Sequence, residues 1–213
     1  MLLYALAGGA ILASASSTQA EVIFTPSSAV LQGEAASLAI DLDHDGSTDF
    51  TIAIEKCRTY SGYGIGRCLE AHGQSPSDQV GMFGPTGGRT AEALAPGTQV
   101  TGGHRFRADA VMASLALGSW RDVSNRYLGV RFRIDGQFHY AWIGFRSVIV
   151  DQNGFTATFG GWAYETESGK TIVTGDRGTN SAVIQPTALE ILAAGHTGKD
   201  ERRKRTITAG GHE

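Results

Sequence analysis

The chain has 213 residues, of which 41% are hydrophobic and 18% charged, enough apolar material for one sizeable core. Its 29 glycines favour turns and strands over surface helices, and one domain is the natural count. The formal net charge of -3 is spread over both signs except near the C-terminus, so nucleic acid is excluded as an expected partner.

Residues 2–15 form an apolar run too short to span a bilayer as a typical transmembrane helix, and small residues follow it up to Ala20. This pattern predicts a secretory signal over residues 1–20, cut near Ala20, although no Lys or Arg precedes the run. A buried N-terminal helix is the alternative, since the run has no polar face. The ordered domain is then expected over residues 21–178, beginning with a short strand at residues 22–24.

The stretch 37–55 reads as a hairpin. Leu38, Ile40 and Leu42 alternate into a polar loop, and Phe50, Ile52 and Ile54 alternate away from it. Pairing Leu42 with Phe50 places all six side chains on one face. The loop carries Asp41, Asp43, Asp45 and Asp49 around Gly46, and carboxylates this close resist joint ionisation unless a cation neutralises them. Calcium accepts many oxygens at flexible distances, and Ser47 offers a backbone carbonyl. The expected ligand set is Asp41, Asp43, Asp45, Ser47 and Asp49, with a solvated Asp/Gly turn as the ion-free alternative. The D-x-D-x-D-G-x-x-D pattern resembles the calcium loops of EF-hand, dockerin and integrin-type β-propeller repeats. It departs from the EF-hand in having Ile52 at the twelfth position and strands as flanks.

Cys57 and Cys68 are the chain's two cysteines, and the residues between them read as a glycine-rich loop. An even count in an exported chain predicts one disulfide between them. Residues 72–103 are rich in Gly, Pro, Ser and Thr and read as long loops with at most one short strand. Residues 108–118 are compatible with either a strand or a short helix, because periodicity does not decide between them.

Residues 127–165 read as three consecutive antiparallel strands. Leu128, Val130, Phe132 and Ile134 alternate with Gly129, Arg131 and Arg133, and Asp135-Gly136 suits a two-residue hairpin turn. That turn pairs Ile134 with Gln137 and fixes the register outward, bringing Phe132 opposite His139 and Trp142 opposite Gly129. Gly160-Gly161 allows a bulge before residues 162–165. A final short strand is expected at residues 171–173. The fold class is therefore all-β: a jelly-roll-like antiparallel β-sandwich in a single domain with long Gly-rich loops.

In the tail, residues 179–213, Gln185-Pro186-Thr187 precedes an apolar run ending near Gly195, and a basic cluster runs from Arg202 to Arg205. This order resembles the C-terminal sorting signal of secreted bacterial PEP-CTERM proteins in degenerate form; a plain disordered tail is the alternative. Residues 127–132, 139–142 and 162–166 are similar to segments of the same surface proteins. The resemblance implies bacterial export to the cell surface or matrix, with the membrane engaged only transiently through the signal or sorting segments.

Three functions are compatible with this reading. One is a calcium-stabilised exported module that binds extracellular polysaccharide or a surface protein through Tyr140, Trp142, Trp162 and Tyr164. A second is a structural or adhesive protein. The third and least supported is a hydrolase using His139, Glu165 and Asp135, for which no nucleophile or metalloprotease motif is present and no catalytic residue is assigned. His139 falls on the apolar face and is expected to be a hydrogen-bonded core residue.

Overall fold

The hairpin at Asp135-Gly136 sets the frame of the molecule. In the computed structural model both residues have positive φ (49° and 79°), the backbone that a two-residue turn between right-twisted strands requires. The pairs Ile134–Gln137, Phe132–His139, Val130–Ala141 and Leu128–Ile143 follow from it, as the sequence predicts. The structure describes residues 20–58, 65–82, 90–115, 118–152 and 154–178, so nearly all of the expected signal and the tail lie outside the described residues.

The strands, in order, are β1 (Val22–Pro26), β2 (Val30–Gln32), β3 (Ser37–Ile40), β4 (Phe50–Arg58), β5 (Ile65–Gly73), β6 (Gln79–Met82) and β7 (Gln99–Val100). After them come β8 (Arg105–Arg107), β9 (Asp109–Ser114), β10 (Val123–Ile134), β11 (Gln137–Asp151), β12 (Gly154–Glu165) and β13 (Ile172–Val173). The larger sheet has the order β1-β12-β11-β10-β6-β8, with β2 also on β12; the smaller has the order β3-β4-β5-β9. All pairings within both sheets are antiparallel, and there is no helix among the described residues. The molecule is an antiparallel β-sandwich.

The main core lies between the sheets, where Ile52, Ile54 and Leu69 of one meet Leu128, Val130, Phe132 and Ile143 of the other. Trp120, from the connection before β10, is fully buried there, edge-on to Phe145 at 4.7 Å. A second apolar cluster covers the outer face of the large sheet. Phe24, Tyr140, Trp142 and Ala163 are capped by Leu94 and by Val100 and Ile172 of a small β7–β13 ribbon. Residues 139–145 of β11 are consequently buried on both faces, which is why that strand reads as nearly continuous apolar sequence.

Three expectations are modified, and one left open is resolved. The first hairpin pairs Ile40, not Leu42, with Phe50. The Asp49 amide closes the ladder on the Ile40 carbonyl at 2.9 Å, while the Leu42 amide turns to the Asp49 carboxylate at 2.7 Å. Leu42 leaves the ladder, yet a shift of two residues preserves its face and it is fully buried. The supposed loop between the cysteines is partly strand, because β4 and β5 extend to Arg58 and Ile65. Residues 72–103 hold two short strands, β6 and β7, and residues 109–114 are strand.

Candidate functional site

The loop at residues 41–49 closes one end of the smaller sheet. Positive φ at His44 (63°) and Gly46 (91°) folds it back on itself. Asp41 anchors the curl by accepting the His44 amide (2.7 Å) and the Gly46 amide (2.9 Å) on its two oxygens. His44 Nε2 lies 2.7 Å from Thr25 Oγ1 of β1, which ties the loop to the opposite sheet.

One carboxylate oxygen from each of Asp41, Asp43 and Asp49 lies within 4.8 Å of the others. Oxygens on a shell about 2.4 Å from a calcium ion are separated by no more than this, so the spacing of the three is compatible with one hard cation. Of the other two expected ligands, Asp45 does not join this carboxylate cluster. Asp45 is exposed and caps the Ser47 amide at 2.7 Å, and Ser47 is exposed. Four aspartates in sequence thus become a three-carboxylate cluster in space, because the short Asp45 side chain is consumed by its own turn.

The electrostatics show the cost of this arrangement. Burial, reinforced by the charges of Asp43, Asp78 and Asp41, pushes the Asp49 carboxyl from its ordinary 3.8 up to about 7 against the opposing Leu42 hydrogen bond. Burial, with the charges of Asp45 and Asp41, also raises Asp43. Tyr164 holds its phenolic proton more tightly, first through burial and then through Asp43 and Asp41.

Cys57 and Cys68 form a disulfide with Cα atoms 5.8 Å apart, bridging β4 and β5 diagonally. On the same outer face lies a titratable cluster that the sequence analysis missed. His72 places Nδ1 2.9 Å from Asp109 Oδ1 and Nε2 2.9 Å from Glu55 Oε1. Burial opposes a charge on His72, but the Asp109 hydrogen bond and the charges of Glu55, Asp109 and Glu70 outweigh it and raise the pKa. Glu70 is raised by burial and then by Glu55. The alternation Cys68-x-Glu70-x-His72 was visible, but linking it to Glu55 and Asp109 needs the register of three strands.

The aromatic residues expected to form a binding surface do not share one. Tyr140 and Trp142 belong to the outer cluster, whereas Tyr164 and Trp162 pack toward the main core. Tyr140, Trp142 and Tyr164 are buried and Trp162 is half-buried. The physical reason is strand parity: Ala141 pairs with Tyr164 and Trp142 with Ala163, which puts the two tyrosine–tryptophan sets on opposite faces.

The hydrolase constellation is likewise not assembled. His139 is buried and its Nδ1 donates to the Glu165 backbone carbonyl at 2.9 Å, as a core histidine should. The buried Glu165 carboxylate is engaged by Lys170 Nζ at 3.2 Å and by the Glu167 amide at 3.1 Å. Asp135 stays in the exposed hairpin turn. Compared with protein-family models, curated proteins and solved structures, the chain matches none.

Proposed function

We propose that this chain is an exported, calcium-stabilised β-sandwich that acts as a cell-surface or extracellular-matrix binding module, with polysaccharide as its ligand. The observation that carries the proposal is the convergence of Asp41, Asp43 and Asp49 at the junction of the two sheets. Three carboxylates facing one another form a hard-oxygen donor set, and a cation there would offset their mutual repulsion and fasten the loop that holds the sheets in register. The disulfide suits an oxidising compartment, and the PEP-CTERM-like tail supports delivery to the cell surface.

The test has two parts. Thermal melting of the purified domain should rise by several degrees in calcium relative to chelator, and a glycan array should return at least one polysaccharide. Equal melting temperatures sink the calcium part, and a blank array sinks the binding part. A purely structural or adhesive role is the second reading, favoured by the burial of Tyr140, Trp142 and Tyr164.

A further inference from the structure

The ribbon that caps the outer face of the large sheet stops short of one end. Along β11 the outer row runs Phe138, Tyr140, Trp142, Gly144, Arg146, and along β10 it runs Arg133, Arg131, Gly129, Tyr127, Asn125. The ribbon covers the middle of this face. Beyond it lies a cleft of about 380 Å³, floored by Gly144 and Gly160, walled by Tyr127 and Trp142, and rimmed by Asn125, Arg146 and Arg177. Its size falls within the roughly 300–1,000 Å³ of small-ligand sites.

Packing favours glycine at position 144, while a Cβ at Gly160 would make an ordinary contact. A Cβ on Gly144 would stand 3.1 Å from the Trp142 ring and 3.2 Å from Tyr127, and one on Gly160 3.5 Å from the Arg146 side chain. The Trp142 and Tyr127 rings therefore close over Gly144 at the base of the cleft. The tryptophan and tyrosine meet edge to face at 5.1 Å, which fixes the wall. Trp142 spends its indole N–H on the Asp176 carbonyl at 3.2 Å and presents an apolar edge.

The two arginines set the charge of the ligand. Arg177 stacks on the Phe24 ring at 4.5 Å, which holds its guanidinium over the sheet at the rim of the cleft. No carboxylate lies within ion-pair distance of Arg146 among the described residues. A concave site with two guanidiniums, an amide and an apolar wall matches a sugar ring bearing a carboxylate.

We infer that this cleft binds one uronate residue of an acidic polysaccharide, Arg146 and Arg177 taking the carboxylate and the half-buried Tyr127 ring taking the sugar's C–H face. The inference deepens the binding-module reading and rests on it. Single-stranded nucleic acid fits less well. Its recognition stacks successive bases on several exposed rings, whereas with Trp142 only 1% exposed the cleft presents a single accessible ring, Tyr127.

The test is calorimetric titration of the purified domain with oligogalacturonate, a neutral gluco-oligosaccharide and a short single-stranded oligonucleotide. Oligogalacturonate should bind best, and affinity should fall as salt rises. Arg146→Ala and Arg177→Ala should each weaken it by about tenfold or more, with the melting temperature unchanged for Arg146→Ala and slightly lower for Arg177→Ala, which loses its stack on Phe24, while Arg133→Ala at the far end of the face leaves the affinity unchanged. Arg177→Lys should recover little, because an ammonium replaces only the charge and not the planar fork. Oligogalacturonate binding that ignores both alanine variants overturns the cleft but leaves the module reading standing. Preference for the neutral sugar or the oligonucleotide also overturns it. Failure to bind any glycan sinks the module reading itself.

Discussion

Replacing Asp49 by asparagine separates the electrostatic cost of the loop from its value as a cation ligand. The folded carboxyl titrates near 7 while its ordinary value is 3.8, so the folded state holds this proton more tightly than the unfolded chain. For a carboxyl raised in this way the sign is the reverse of an ion-paired aspartate. Stability is fully present below about 3.8 and is lost as pH climbs through about 7. The span corresponds to roughly 4 kcal/mol for a group wholly shielded from water. Solvent reaches part of Asp49, and discounting for that leaves about 2 kcal/mol. The side-chain amide of the variant keeps an oxygen for the Leu42 N–H and adds N–H donors that face Asp41 and Asp43. In chelator at pH 8, Asp49→Asn should therefore melt about 4–8 °C above the parent, at about 2–4 °C per kcal/mol for a domain of this size. In calcium the order should invert. At a free concentration of about 100 times Kd the parent gains roughly 2.7 kcal/mol, whereas the variant has lost a charged ligand. Differential scanning calorimetry across pH 4–8, with and without calcium, reads both effects. A variant that melts at or below the parent in chelator at pH 8, or that gains as much from calcium, refutes the reasoning.

Three further outcomes follow from features elsewhere. His72 is raised above 6.5 by Asp109, Glu55 and Glu70, so its stabilisation is complete below about 6.5 and disappears as pH rises through the higher folded value; His72→Gln should cost on the order of 1 kcal/mol at pH 6 and little at pH 9, by urea unfolding. Gly161 has φ of 125°, and a Cβ there would strike the Thr25 carbonyl and stand 2.8 Å from the Phe24 ring, so Gly161→Ala should cost about 3 kcal/mol or more and loosen β1, read as lost amide protection at residues 22–26. Removing the disulfide with Cys57→Ser and Cys68→Ser together should lower stability by at most about 3 kcal/mol, less if the paired β4–β5 hairpin already restricts the unfolded loop, and reduction of the parent should reproduce the drop.

The central meander was legible because one dipeptide dictates it. Asp135-Gly136 selects the turn, the turn selects the pairing, and the pairing fixes every face from Leu128 to Ile143. The first hairpin was legible only to within its face. A nine-residue loop has no single closing geometry, and side-chain-to-backbone bonds from Asp41 and Asp49 set where the ladder begins. The aromatic residues were misjudged for a different reason. Strand alternation reports two faces but not what lies on the second, and the cover over Tyr140 and Trp142 comes from Leu94, Val100 and Ile172, in segments with no periodic signal. Sites built across strands were least accessible. Neither the His72 cluster nor the Arg146–Arg177 cleft has a local pattern, since each exists only once registers are known.

The position of β1 has a consequence for how the domain comes together. Its partner is β12, with Val22 opposite Glu165 and Pro26 opposite Gly161, and β2 pairs with that same strand. Two segments made early must therefore wait, unpaired, until nearly the whole domain has been synthesised. Such distant closure should make folding slow relative to the β10–β11 hairpin, whose two strands are joined by two residues. The same proximity lets the domain be rewired. A Cβ on Gly178 would lie 2.6 Å from the Val22 carbonyl, and the Thr166 amide bonds the Glu21 carbonyl at 2.9 Å. A short linker from residue 178 to residue 21, with the chain reopened at the Asp135-Gly136 turn, would make the β12–β1 contact local and the β10–β11 contact distant. The order of assembly would reverse while the sandwich stayed the same.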